Sequence, residues 1–347
     1  MRWIEPKYSK KRIKKAGSIL VHSDISSEEY AAELPVLQNW RSSHAFPMQV
    51  MLDFLRKNAL RIDKKANAVQ RLKRTDSIKA KLEKEKGMSL ARMEDIAGCR
   101  VVLSDVRFVN RLYEMLSRSR TKNILHRERD YLSQPKGSGY RGIHLIYRYN
   151  GRKEAFRGMA TELQLRSQIQ HSWATSVEVF GTFTKQALKA SIGTEDWLRA
   201  FKVISVELAR MEGYEPPEAY NNVDTFSEMK ILVEQLSFFE HLAAFKVATK
   251  AISEHTDGAG YYIVKLELEN RLVSYAHFQK NRIDDATEFY NREEEKHSGN
   301  NQVDIVMVSA NSVADLRRAY PNYFMDTSVF ESNLANAYNR KNLTNGS

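Results

Sequence analysis

The sequence predicts an α+β fold: a mixed β-sheet flanked by helices, with a smaller α+β unit after it. Three observations predict it. Ala160 to Arg166 alternates strictly, with Thr161, Leu163 and Leu165 on one side and Glu162, Gln164 and Arg166 on the other, as a strand with one buried face does. The apolar run Cys99–Leu103 is followed at Asp105 by a helical stripe of Val106, Val109, Leu112, Tyr113 and Leu116, and then by further strands. Glu215–Pro216–Pro217 ends the helix read over Trp197 to Met211, and a fresh apolar stripe starts at Phe226.

In order, Lys7 to Lys15 reads as a basic arm, and Ser27 with Glu28 and Glu29 as the start of a short helix. Pro47 opens a longer helix whose apolar stripe runs from Val50 and Phe54 through Ala59 and Ile62 to Val69 and Leu72. Asp76 or Ser77 is expected to cap the next helix, which carries Ile78 and Leu82 and stops near Gly87. Strands are expected over Lys122 to Asp130 and Ile143 to Tyr149, with Asn150–Gly151 as a type I′ turn towards the Glu162 strand. Ser167 starts a helix with Ile169, Trp173, Val177 and Phe180 buried. Beyond Phe226, Leu232, Leu236, Phe239, Ala243 and Val247 make one helical stripe, and Tyr261 to Phe278 two strands around Glu269–Asn270–Arg271. Ile283 to Lys296 reads as a polar helix and Val303 to Val308 as a strand; a helix follows between Ser312 and Pro321, and Tyr320, Tyr323 and Phe324 are core or a docking surface.

Composition bounds the function. With 347 residues and 42% hydrophobic content the chain suits a folded protein of two units. It contains no run of about 18 apolar residues, which argues against a membrane-spanning helix. No apolar run precedes Lys10, so no secretory signal is expected, and a single cysteine, Cys99, suits a reducing cytoplasm. That thiol lies in an apolar strand and is expected to be buried and inert. Neither a cysteine cluster nor an H-E-x-x-H spacing is present for zinc. The net charge of +11 is uneven: residues 1–92 hold 21 Lys and Arg against 10 Asp and Glu, and the other 255 residues hold 33 of each. A basic N-terminal surface attracts polyanions, either nucleotide polyphosphates or nucleic acid, although a solvated lysine-rich helix face would give the same count.

The stretch Arg129 to Glu178 concentrates the chemistry. Lys136, Tyr140, Arg141 and His144 crowd a loop with Gly137, Gly139 and Gly142, and Glu162, Gln164 and Arg166 share one strand face. The loop lacks the Walker A order. Upstream, Lys73, Ser77 and Lys81 stand around a helix start, a natural anion site, and Asp95 just before a strand can reach a cleft or merely cap a turn. These residues resemble the synthetase domain of the RelA/SpoT family. Asp130, Tyr131, Pro135, Lys136, Gly139, Tyr140 and His144 match its guanine-side loop. Glu162, Gln164, Leu165, Arg166, His171 and Glu178 match the strand and helix behind it. Asp95, Gly98 and Arg100 match the segment of its metal-binding aspartate, and Arg71, Lys73, Ser77 and Lys81 its donor-nucleotide segment. The resemblance spans roughly Arg71 to Glu212.

The resemblance implies a nucleotidyltransferase-like synthetase domain over 46–215. A basic arm and short helix (1–45) would precede it, and a C-terminal regulatory or partner-binding domain (226–335) and a frayed tail (341–347) would follow. The implied reaction moves the β,γ-pyrophosphate of ATP to the ribose 3′-hydroxyl of GDP or GTP, with Mg²⁺ on Asp95 and Glu162 and AMP released. Arg71, Lys73, Ser77, Lys81 and Arg100 fall on the ATP side and Lys136, Tyr140 and His144 on the acceptor side, Tyr140 as a stacking ring. Gln164 and Arg166 orient or contact phosphate, Glu162 also receives the hydroxyl proton, and His171 and Glu178 support the site from behind. No His-Asp dipeptide is present, so the hydrolase activity of longer family members is not expected. Some relatives, including the fused toxin–antitoxin CapRel type, modify the 3′ end of tRNA and use a C-terminal domain to restrain the toxin and recognise a phage protein. That is the rival reading, and a non-catalytic RNA-binding module is a third.

Overall fold

The computed structural model describes residues 3–24, 26–184, 186, 188–242, 258–267, 272–297, 300, 303–310 and 327–340. The N-terminal basic stretch is not an arm: Ser9 caps helix α1 (Lys10–His22), which buries Ile13, Ala16 and Leu20 and turns its lysines outward. Ser27 caps α2 (Glu28–Ser43), far longer than the short helix expected. Helix α3 (Ala45–Ile62) stops where the sequence stripe seemed to continue. Val69 and Leu72 belong to strand β1 (Asn67–Leu72) instead, because Asp63 ends the helix and takes the N–H of Lys65 in a turn. Helix α4 (Thr75–Lys84) starts one residue ahead of the expected cap, with Arg74 at the N-cap giving no side-chain bond.

Strand β2 (Ala97–Leu103) and helix α5 (Val106–Ser117), capped by Asp105, follow as expected. Next come strand β3 (Ile124–Asp130), β4 (Ile143–Arg148), β5 (Ala160–Ser167) and helix α6 (Gln168–Phe183). Ser167 and Gln170 form a reciprocal capping box at the start of α6. The β4–β5 connection is not a two-residue turn. Neither Asn150 nor Gly151 takes the positive φ that type I′ demands, and a 3₁₀ turn at Glu154–Phe156 buries Phe156 within the loop. Helices α7 (Glu195–Met211) and α8 (Thr225–Gln235) precede strands β6 (Gly260–Glu267) and β7 (Leu272–Gln279). Helix α9 (Ile283–Lys296), strand β8 (Val303–Ala310) and helix α10 (Ser328–Tyr338) complete the described elements, α10 being one the sequence reading missed. Ala243, Val247, Glu269–Arg271, Ser312, Tyr320, Pro321, Tyr323, Phe324 and the tail after Arg340 lie outside the described residues.

All eight strands form one sheet in the order β3-β4-β5-β2-β1-β8-β6-β7, parallel between β2 and β5 and antiparallel elsewhere. The C-terminal segment therefore does not build a separate sheet, as the division at Phe226 had implied. Its strand β8 pairs with β1, and its apolar residues enter the core of the preceding part. Phe180, Phe201, Met229, Phe238, Tyr262, Val306 and Phe330 share one buried cluster on one sheet face. On the other face α3 and α5 cover Cys99, Val101, Leu145, Leu163 and Leu165. Strand β6 alternates between layers, Tyr262 and Val264 in the first and Tyr261 and Ile263 packed on α9. The proline break at 216–217 marks a turn between α7 and α8, not the edge of a core.

Candidate active site

Strand period places the polar side chains. Residues of β2, β4 and β5 that alternate with Cys99, Val101, Leu145, Leu163 and Leu165 must face the opposite side. In register, Arg100 lies opposite Gln164, which lies opposite His144; Gly98 lies between Arg71 and Glu162. At Gly98 a Cβ would meet nothing closer than the Arg71 carbonyl at 3.8 Å, so the space above the strand stays open. A cavity of about 460 Å³ occupies that space.

Arg71, Lys73, Lys81, Asp95, Arg100, Lys136, Tyr140, His144, Glu162, Gln164, Arg166 and Glu178 all line it. Ser77 and His171 do not: Ser77 lies in the first turn of α4, and His171 is buried on α6. Glu178 reaches the cavity directly and pairs with Lys189 at 2.5 Å. Arg141, which the loop sequence had grouped with the cleft, turns away. Its guanidinium pairs with buried Glu212 at 2.6 Å, and Glu212 also accepts from Ser167 and Gln170. This ion pair ties the glycine loop to the start of α6 and the end of α7. Gly139 completes the tie at φ +88°, where a Cβ would stand 3.2 Å from Lys202, Ser205 and Trp173.

Five side chains close a hydrogen-bonded ring. Arg166 Nε donates to the Tyr140 hydroxyl (3.1 Å), which is 2.6 Å from His144 Nε2. His144 Nδ1 is 3.0 Å from Glu162 Oε1, Gln164 Nε2 donates to Glu162 Oε2 (2.6 Å), and Arg166 Nη2 donates to Gln164 Oε1 (3.2 Å). Both arms of the ring end on Glu162, which accepts from Gln164 and, with His144 protonated at Nδ1, from the imidazole. Burial would push the Glu162 carboxyl up, but His144, Gln164 and Lys81 together hold it well below the usual range. Glu178 is similar: burial opposes ionisation, and the charges of Lys189 and Arg71 bring it down to about 2. Burial raises the Tyr140 phenol, which stays a neutral donor.

Around the ring the cations are placed for anions. Lys136 Nζ stands 4.5 Å from the Tyr131 ring centre and 5.1 Å from that of Tyr140, with Arg166 5.0 Å from Tyr140. Across the cavity, Lys73 and Lys81 each approach Asp95 Oδ2 at 3.0 Å, while Asp95 Oδ1 is buried without a hydrogen-bond partner. Trp173, Val177, Leu188, Leu198 and Phe201 form an apolar wall. A flat group with a polyphosphate fits such a space: rings and methyls on one side, ammonium and guanidinium groups on the other.

Cys99 is buried, and its thiol is pushed up by desolvation, so it is inert as expected. Sequence reasoning missed Lys189, Lys202, Arg129 and Glu85 in the lining. Arg129 stood at the head of the chemical stretch and could have been chosen. Lys189 and Lys202 carry no local signal, since only the packing of α6 against α7 brings them to the cavity.

An α+β sheet with a cation-lined nucleotide-sized cavity defines the class, and comparison with known proteins narrows it. Residues 70–180 match the family described as the region found in RelA / SpoT proteins. This part of the chain is a RelA/SpoT region. The GTP pyrophosphokinase YjbM of Bacillus subtilis (strain 168) is 33% identical over 88 residues, covering 24% of this chain and 39% of that protein. The chain thus spans about two fifths of the length of the curated relative it matches. Small alarmone synthetase 1 of Bacillus subtilis, solved with its product pppGpp, is 22% identical with a TM-score of 0.42, over 51% of this chain and 94% of that one. A GTP pyrophosphokinase family protein from Streptococcus pneumoniae is 20% identical with a TM-score of 0.38, over 48% and 85%. Superpositions this loose locate no residue. Among the described residues no helix is long and apolar enough to cross a membrane.

Proposed function

We propose that the chain is an ATP-dependent pyrophosphokinase that transfers the β,γ-pyrophosphate of ATP to the ribose 3′-hydroxyl of GDP or GTP. The observation that carries this reading is the joining, in one cavity, of the ring ending on Glu162 with Asp95 and its two lysines. The match of residues 70–180 to the RelA / SpoT region and the 33% identity over 88 residues to a GTP pyrophosphokinase support it. In this reaction the 3′-oxygen bonds to the β-phosphorus and releases its proton to solvent, the bond from that phosphorus to the α,β-bridging oxygen breaks, and AMP leaves.

Mg²⁺ fits the residues present: Asp95 offers a buried oxygen that no protein group uses, and Glu162 is firmly ionised. Bound there, the ion would neutralise charge on the transferred group. The chain's own groups do the rest. Lys73 and Lys81, held by Asp95 in the resting site, are free to turn to the triphosphate, and Arg71 and Arg100 reinforce them. Glu162 orients the attacking hydroxyl and accepts its hydrogen bond. Its depressed pKa makes it a weak proton store, so orientation outweighs base strength in its contribution. Lys136 and the Tyr140 ring hold the acceptor.

Three outcomes test the reading. Incubated with Mg²⁺ and ATP labelled at the β or γ phosphate, the protein should label GDP or GTP. Label only on deacylated tRNA would replace the acceptor by an RNA 3′ end. Its uptake should then fall by about 0.7–0.9 log unit per log salt for each phosphate neutralised. No transfer to any acceptor, with ATP bound, would leave a binding module.

Tyr140 gives a finer check. Tyr140→Phe leaves Arg166 Nε and His144 Nε2 without their shared partner, a loss of about 1–3 kcal/mol expected in kcat with little change in acceptor KM. Tyr140→Ala also removes the ring, and should raise acceptor KM by the further ~1–3 kcal/mol that stacked bases contribute. Identical kinetics of the two variants would sink the stacking role.

A further inference from the structure

The segment that carries Lys73 and Lys81 is gripped from outside the RelA/SpoT region. Arg41 of α2, almost fully buried, donates from Nε to the Lys73 carbonyl (2.7 Å). Its guanidinium lies 4.6 Å from the ring centre of Tyr290 and 3.4 Å from Glu294 Oε2, both on α9. Glu294 in turn accepts from the Thr75 amide and the Thr75 hydroxyl, each at 3.0 Å, and from the Tyr290 hydroxyl at 2.9 Å. Thr75 is the first residue of α4, whose own N-cap residue supplies no side-chain bond. A carboxylate more than 200 residues away in sequence therefore serves as the cap of the helix that carries Lys81.

We infer that Glu294 is a positioning residue for the donor side of the site, and that with Arg41 and Tyr290 it sets residues 73–81 so that Lys73 and Lys81 converge on one point. The main chain is held on both sides of Arg74, at the carbonyl of 73 and at the amide of 75. A shift there moves both lysines together, since one precedes the helix and the other lies within it. The carboxylate also complements the positive end of α4 and the buried guanidinium, so it does not simply add another anion near the cavity. On this inference the C-terminal segment is a working part of the nucleotide site. It rests on the function proposed above for what the lysines bind, but not for the anchoring itself.

The test uses the full chain and three variants: Glu294→Ala, Glu294→Gln and, as a control on the same helix, Asp285→Ala, whose side chain pairs only outward with Arg282 among the described contacts. Two readouts are taken: amide hydrogen exchange of peptides over 73–84 against peptides over β4 and β5, and calorimetric binding of ATP and of GTP with Mg²⁺. Glu294→Ala should speed exchange only over 73–84 and weaken ATP by about tenfold, the worth of a lost charged hydrogen bond, with GTP unchanged. Glu294→Gln keeps one oxygen for the Thr75 amide and should fall between, with Asp285→Ala unaltered. Unchanged exchange over 73–84, faster exchange with unchanged ATP affinity, or equal weakening of both nucleotides would each overturn the inference. If the unaltered protein takes up no ATP, the proposed function falls, and the exchange data alone decide whether Glu294 anchors the segment.

Discussion

Asp95→Ala and Glu162→Gln are each expected to lower turnover by about 10²–10³ or more, because both groups act on charge that develops in the transition state. The two failures should differ in kind. Glu162 receives one hydrogen bond on each oxygen, from His144 and from Gln164. A glutamine offers one acceptor and turns an NH₂ towards a second donor, so the ring must open as well as lose its charge. Asp95→Ala leaves the ring intact but frees Lys73 and Lys81 from their shared partner. ATP should therefore bind Asp95→Ala without Mg²⁺ at least as well as it binds the unaltered protein, while catalysis fails. Near-normal turnover in either purified variant, with the fold preserved by circular dichroism, would refute the assignment.

Most of that site could be read from the sequence because it lies on strands and short-range loops. Glu162, Gln164 and Arg166 declare themselves by alternation, and once β2 pairs with β5 in parallel, Arg100 must join them. What could not be read was the company these residues keep. The ring needs Tyr140 to fold back over β4 and β5, and that depends on Arg141 being drawn into the Glu212 pair, an encounter across 71 residues. Alternation says which face a side chain takes, not which distant carboxylate will claim its neighbour. Arg141 was misplaced for that reason, and Lys189 was missed for a similar one.

Most elements of the fold were legible, and two joints show why others were not. Val69 and Leu72 continue the spacing of the α3 stripe, yet they sit on a strand, since a short apolar run fits either period and Asp63 stops the helix first. The proline pair at 216–217 is a true local break, but a break in the chain need not be a break in the core. Strands β6 and β8 are apolar on both faces, Tyr262, Val264 and Val306 on one and Tyr261, Ile263 and Ile305 on the other. Strands covered on both sides belong inside a larger sheet. Read that way, Tyr261–Leu266 and Val303–Val308 point to strands inside one larger sheet.

A chain ending near Pro217 is accordingly expected to lose cooperative folding. It would strip Met229, Val233, Phe238, Tyr262, Val264, Val306, Phe330 and Leu334 from the cluster that also holds Phe180 and Phe201. Each such side chain contributes about 1.5–3 kcal/mol when buried, so a handful exceeds the ~5–15 kcal/mol by which whole domains are stable. The loss would also uncover the edge of β1, which β8 occupies in the full chain, and an open apolar edge invites aggregation. Phe330→Ala in the full-length protein is the gentler form of the same test. Its ring is fully buried, with its centre 6.3 Å from that of Phe201, and its removal should cost about 3–5 kcal/mol in urea unfolding. A soluble fragment ending near Pro217 that unfolds cooperatively and binds ATP would show the C-terminal segment to be dispensable. It would restore the division at Phe226, and it would require that Lys73 and Lys81 find their places without Glu294.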